Sequence, residues 1–176
     1  MKIYIPTRGR PESQVTLEFF PENMIKDGTV ILAIDEDEQD KYTKYPDVQK
    51  LIVPSFVKGI SYKRKYIIEQ STDPRVVMLD DDLRFYIRKS DNDWHLRYLE
   101  PNEYPALFGL LDVWLDDYAH VGVSAREGNN RVEKLAVENT RYMRVLGYNL
   151  DMFDGIELGR VQVMEDFDIN LQLLRQ

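Results

Sequence analysis

Arg75-Val76-Val77-Met78-Leu79-Asp80-Asp81-Asp82-Leu83 joins an apolar run to an acidic triplet. Four apolar residues, β-branched at the start, lead straight into three consecutive carboxylates. A short run of that kind reads as a buried strand. Such strands do not normally end in three acids. Close like charges disfavour one another's ionisation unless a cation sits among them. Alternation along a strand end predicts Asp80 and Asp82 on one side and Asp81 on the other. Two carboxylates on one side could share a hard divalent ion, Mg²⁺ or Mn²⁺, with the phosphates of a ligand. The competing reading is a solvated acidic turn after a core strand.

The rest of the composition narrows the setting. A chain of 176 residues can bury a proper core and reads as a single domain, 1–176. Hydrophobic residues at 43% and charged residues at 31% are an ordinary globular balance. The absence of cysteine excludes disulfides, thiolate metal sites and a cysteine nucleophile. It also fits a reducing compartment. Met1 leads directly into an apolar strand without the parts of a signal peptide. No apolar run approaches the ~18 residues of a membrane span. These features set the expectation of a cytoplasmic protein, in the host cytoplasm if a phage encodes it, with no membrane partner. Net charge is −8, from 23 basic and 31 acidic residues. That excludes a broad electrostatic footprint for nucleic acid but leaves room for a local basic patch facing an anionic ligand.

Working outward from the triplet, the chain alternates short strands with helical segments. Lys2 to Pro6 predicts a first strand, followed by a turn at Thr7-Arg8-Gly9-Arg10-Pro11. Two arginines in such a turn can hold a phosphate or a nucleotide base, or the turn can be simply solvated. Glu12 to Phe20 reads as weakly helical, and Thr29 to Ile34 as a second buried strand ending in Asp35, Glu36, Asp37 and Glu38. A carboxylate there can bind a ribose hydroxyl or a base amine, or be simply solvated. Lys41 to Lys50 reads as short helix or loop, and Leu51 to Pro54 as a third strand. Ser61 is the expected N-cap of a helix from Tyr62 to Gln70. Lys63, Arg64 and Lys65 oppose the dipole of its first turn; placement against local preference hints at function, and the competing reading is a solvated basic face.

Beyond the triplet, Ser90 to Asp93 reads as a hairpin turn between Phe85-Tyr86-Ile87 and Trp94 to Tyr98. Pro101 to about Tyr118 reads as a helix with a core face of Leu107, Leu110, Leu111, Trp114 and Leu115. His120 to Ser124 reads as a strand, Arg126 to Arg131 as a mobile loop, and Tyr142 to Tyr148 and Leu150 to Phe153 as extended segments. Glu165-Asp166-Phe167-Asp168 caps a last helix, expected from about Phe167 to Arg175. Acids suit the dipole there, so capping competes with function for this cluster.

Strands alternating with helices predict an α/β fold with parallel βαβ units. Ligands of open α/β sheets lie beyond the carboxyl ends of the strands. Thr7 to Arg10, Asp35 to Asp37 and Asp80 to Asp82 all fall at that edge. His95 and His120 read as structural, and two histidines without cysteine make a zinc site a poor fit.

This ordered set resembles a nucleotide-sugar glycosyltransferase of the GT-A fold, similar to family-two enzymes. The matching pieces are Pro6-Thr7-Arg8-Gly9-Arg10, the strand ending in Asp35 and Asp37, and Gly59-Ile60-Ser61-Tyr62-Lys63-Arg64. Met78-Leu79-Asp80-Asp81-Asp82 and Met164-Glu165-Asp166-Phe167-Asp168 complete the set. The resemblance implies a Rossmann-like mixed sheet flanked by helices. It implies a D-x-D motif in which Asp80 and Asp82 hold Mn²⁺ or Mg²⁺ on a nucleoside diphosphate sugar, with UDP-sugar as donor and Asp81 near the sugar. Asp35 or Asp37 would recognise the base. Thr7, Arg8, Arg10, Lys63 and Arg64 would line the donor site, the four basic residues neutralising the diphosphate. Asp166, with Glu165 as understudy, would be the general base of an inverting transfer to an acceptor hydroxyl.

Three departures bear on this. The chain is short for this superfamily, many members continue past the point where it ends, and no histidine follows His120 to complete the metal shell. The resemblance then implies a water or residues beyond Gln176 in that position. The compact form also resembles phage-encoded glycosyltransferase-like proteins, some associated with modified DNA bases, which implies such a base as acceptor. A nucleotidyltransferase would carry a glycine-rich loop after the first strand, where this chain has only Gly9. A non-catalytic GT-A-like module binding a nucleotide or a protein is the other rival.

Overall fold

The computed structural model describes residues 1–89, 92–125 and 136–176. Its elements are β1 (Lys2–Thr7), α1 (Val15–Glu18), α2 (Glu22–Lys26), β2 (Val30–Asp35), β3 (Gln49–Val53), α3 (Ile60–Gln70) and β4 (Arg75–Leu79). These are followed by β5 (Tyr86–Lys89), β6 (Asn92–Tyr98), α4 (Tyr104–Trp114), β7 (His120–Val121), β8 (Val145–Asn149) and α5 (Glu165–Leu173). Among the described residues, six strands form one sheet in the order β3-β2-β1-β4-β8-β7. The first four are parallel, while β8 and β7 run antiparallel to their neighbours. The strands β5 and β6 form a separate hairpin.

The central strands are apolar throughout because both faces of the sheet are covered. Period-two alternation divides them between two layers. Ile3, Ile5, Leu32, Ile34, Val77 and Leu79 face one core, with Leu17 of α1, Met24 of α2 and Phe108 of α4. Tyr4, Ile31, Ala33, Val76 and Met78 face the other, with Ile67 of α3 and Ile169 of α5. Helices α3 and α5 therefore share one side of the sheet, and both begin near its carboxyl edge.

Several boundaries differ from the sequence reading, each for a local reason. The α4 helix follows a 3-10 turn at Pro101–Glu103 and ends at Trp114. Its core face is Tyr104, Phe108, Leu111 and Leu115; Leu110 is exposed. The aromatic rings decide that rotation, since Tyr104 and Phe108 both pack on Phe20 and Phe85. The β8 strand starts at Val145 because Arg144 before it is left-handed, with φ 65°. After β8, Leu150–Met152 is a 3-10 turn, closed by Asp151 N–H donating to the Asn149 side chain at 3.1 Å. The ladder of β7 stops at Val121, and Val123 packs on the core without it. Phe85 is buried ahead of β5, and β6 already begins at Asn92. The rest of the expected turn, Ser90 and Asp91, and the expected loop at 126–131 lie outside the described residues.

Candidate functional site

Five segments meet at the carboxyl edge of the sheet: the ends of β1, β2 and β4 and the first turns of α3 and α5. Gly59 is the N-cap of α3, at φ 90°, a conformation in which glycine pays no steric cost. Ser61 is not the cap; it is buried inside the helix and its hydroxyl donates to Val161 O at 2.6 Å. This start points Lys63 and Arg64 inward, and both are buried. Lys63 Nζ donates to Thr7 O at 2.9 Å and pairs with the buried Asp35.

Thr7 is buried, its hydroxyl donating to Asp81 and accepting from Gln14 Nε2 at 3.0 Å. Arg8, 61% exposed, pairs with Asp35 and with Asp37 at 2.9 Å. Gly9 N–H donates to Glu38 at 2.7 Å, so the loop after β1 is strapped to the acids after β2.

The acid triplet forms a turn rather than a continuation of the strand, since β4 ends at Leu79. Asp80 faces Arg64, whose Nη2 donates to it at 3.0 Å. Asp81 faces the other way, toward Thr7 and Arg10, with Arg10 Nη1 at 2.8 Å. Asp82 is 53% exposed and reaches the same arginine at 3.5 Å. The expected alternation thus separates Asp80 from Asp81. It does not place Asp82 with Asp80, because the chain has already turned.

Burial pushes the Asp80 carboxyl above its ordinary range; Arg64 pulls it back, and the charges of Asp82 and Asp81 push it up. Thr16 clamps the turn: its hydroxyl donates to Asp80 O at 2.6 Å and accepts from Leu83 N–H at 2.7 Å. No periodic signal marks Thr16 or Gln14, which lie in the weakly helical stretch. Arg144, within charge range of Asp80 and bonded to it through the backbone, was equally silent.

Helix α5 brings the last acids. Met164 is its N-cap in a left-handed conformation, φ 58°, with no side-chain cap. Glu165 is buried against Arg64, and Asp168 pairs with Arg160. Asp166 between them is half-buried and, among the described residues, forms no ion pair. At the far side of the same layer, His120 is buried against the rings of Tyr142 and Tyr148, and burial lowers its pKa to about 3.

Among the described residues no group of three or more His, Asp or Glu side chains is arranged around a metal position. Asp80 and Asp82 are the residues that could hold a cation. Two carboxylates leave most coordination positions to phosphate and water, which is how Mg²⁺ is commonly bound. The carboxylate crowding around Asp80 is what a cation would relieve.

A family profile described as TET-Associated Glycosyltransferase matches residues 1–176. The chain belongs to that family. No curated protein sequence matches it. Among solved structures, S. aureus TarS 1-349 in complex with UDP superposes with a TM-score of 0.56 at 13% identity. The match covers 98% of this chain and 55% of that one. The mannosyltransferase PcManGT from Pyrobaculum calidifontis, in complex with GDP-Man and Mn²⁺, gives 0.54 at 12% identity, covering 95% and 50%. This glycosyltransferase-family chain therefore has the GT-A fold and spans about half the length of those neighbours. Among its described residues no helix is long and apolar enough to cross a membrane.

Proposed function

We propose that this family member transfers a sugar from a metal-bound nucleoside diphosphate sugar to an acceptor hydroxyl, with inversion. The observation that carries the reading is the convergence at one sheet edge of the acid turn Asp80 to Asp82, four basic side chains and the half-exposed Asp166. Asp80 and Asp82 would hold the cation, Asp82 leaving Arg10 to do so as that arginine turns to phosphate. A bound Mn²⁺ or Mg²⁺ would supply Lewis-acid stabilisation of the leaving diphosphate. Arg10 and Arg8, both exposed, can turn from their carboxylates to phosphate oxygens, while Lys63 adds fixed positive charge behind Thr7. Asp37, with Arg8 on the β2 side, is placed for the nucleoside; Asp35 is enclosed by Lys63 and Arg8 and orients them.

Asp166 accepts the proton of the attacking hydroxyl. It is the acid of the α5 first turn not committed to an arginine, which favours it over Glu165. The neighbours bound to UDP and to GDP-Man with Mn²⁺ support the donor class. UDP-sugar is our choice of donor, and a hydroxylated DNA base is the first acceptor to test.

The test is a thermal-shift series with UDP and GDP, with and without Mn²⁺, followed by transfer from labelled UDP-sugar to an oligonucleotide bearing a hydroxymethylated base. Binding to the native state must raise the melting temperature. The reading expects a shift that needs both nucleotide and Mn²⁺, and label on the acceptor. No shift with any nucleoside diphosphate overturns it.

A further inference from the structure

We infer that Arg64 is a positioning residue that ties the acid turn after β4 to the first turn of α5, so that Asp166 is aimed by the Asp80–Arg64–Glu165 bridge. The inference rests on the reading of Asp166 as the base.

The bridge is built from three distant parts of the chain. Arg64 Nη2 donates to Asp80 Oδ1 at 3.0 Å and Nη1 donates to Glu165 Oε1. The Arg64 and Glu165 side chains are only 10% and 7% exposed. A guanidinium holds two carboxylates in one rigid plane, which the single ammonium of lysine cannot do. The fork therefore fixes the angle between the two carboxylates as well as their separation.

Helix α5 depends on that bridge more than an ordinary helix would. Its N-cap, Met164, offers no side-chain oxygen, and the residue is held left-handed. Of the acids in its first turn, Asp166 accepts from the Phe167 N–H at 3.0 Å, while Glu165 reaches sideways to α3. A second tie runs in parallel, Ser61 Oγ to Val161 O at 2.6 Å, just before the helix. Gly159 also lies close on α3, where a Cβ would sit 3.1 Å from Lys65 Cδ. The approach to α5 and its first turn are thus docked on α3, and Arg64 is the charged end of that contact. The Tyr148 hydroxyl is buried nearby without a hydrogen-bond partner among the described residues, within charge range of Arg64, Asp166 and Glu165.

This gives Arg64 a role other than direct contact with the diphosphate. A residue gripping phosphate would be read in nucleotide affinity. A residue aiming the base is read in turnover alone.

The experiment compares Glu165→Gln and Arg64→Lys with wild type. It measures UDP affinity in Mn²⁺ by calorimetry, kcat and KM for donor and acceptor, and thermal melting. Glu165→Asp, which keeps the charge but shortens the arm, is the second variant should Glu165→Gln fail to fold. We expect kcat to fall by roughly a hundredfold, as an ångström of misplacement costs, in variants that remain folded. UDP affinity should stay at the wild-type value in the Glu165 variants; Arg64→Lys also loosens Asp80, a proposed cation carboxylate, so for that variant the fall in kcat should exceed any loss of UDP affinity. The double variant should be no worse than either single one, because both break the same contact. A Glu165 variant with wild-type kcat overturns the inference, as does a loss of UDP affinity that parallels the loss of turnover. Wild-type protein that binds no nucleoside diphosphate overturns the glycosyl-transfer reading and this inference with it.

Discussion

Two arginines at the same sheet edge each bridge two carboxylates, and they differ in how far water reaches them. Arg8 spans Asp35 and Asp37 and is 61% exposed; Arg64 spans Asp80 and Glu165 and is 10% exposed. Exposed ion pairs contribute little to stability and exchange partners readily. Buried ones hold their geometry, because a charge left alone there is costly. On the proposed reading, the β1–β2 side is suited to remake its contacts when a donor arrives, and the β4–α5 side to hold Asp80 and Asp166 still. Arg10 belongs with Arg8 in this respect, being exposed and shared between Asp81 and Asp82.

The largest effect expected from this contrast is on stability. Arg64→Ala leaves Glu165 buried without its partner and should cost ~3–5 kcal/mol, measured by chemical denaturation. A loss below about 1 kcal/mol would place Arg64 with the exposed pairs.

Next is Asp166→Asn, which keeps the size of the side chain but cannot accept the proton. Turnover should fall by roughly a hundredfold or more, with melting temperature and nucleotide affinity unchanged. Activity that simply follows stability would make Asp166 part of the scaffold.

Asp82→Ala should weaken UDP binding in Mn²⁺ by at least about tenfold, since even groups behind a metal ligand cost that much. The same variant without metal should bind UDP as wild type does. Equal affinity in the presence of Mn²⁺ would remove Asp82 from the metal site.

The smallest effect belongs to Arg8→Ala. Its melting temperature should not move, while nucleotide affinity drops several-fold in titrations at low salt and less at high salt. A stability loss matching that of Arg64→Ala would erase the distinction between the two bridges.

Much of this architecture was legible in the chain before any coordinates. Uninterrupted apolar runs at Val30 to Ile34 and Val76 to Leu79 announce parallel strands covered on both faces. The acids directly after them must then lie at the carboxyl edge, so the site could be placed from order alone. Composition ruled out thiol chemistry. These are local or topological consequences of residue order, and they do not depend on packing detail.

The partners of each charge depended on the folded structure. Local spacing put Asp82 with Asp80, whereas the chain turns after Leu79 and hands Asp82 to Arg10. Ser61 looked like a cap, but Gly59 starts the helix and Ser61 is drawn to Val161, 100 positions away. The core face of α4 keeps Leu111 and Leu115 but is turned by the contacts of Tyr104 and Phe108 with Phe20 and Phe85, which leaves Leu110 exposed. The bridge from Arg64 to Glu165 spans 101 positions. Periodicity is a property of neighbours along the chain, so it cannot report a contact made only when α3 and α5 settle on the same side of the sheet.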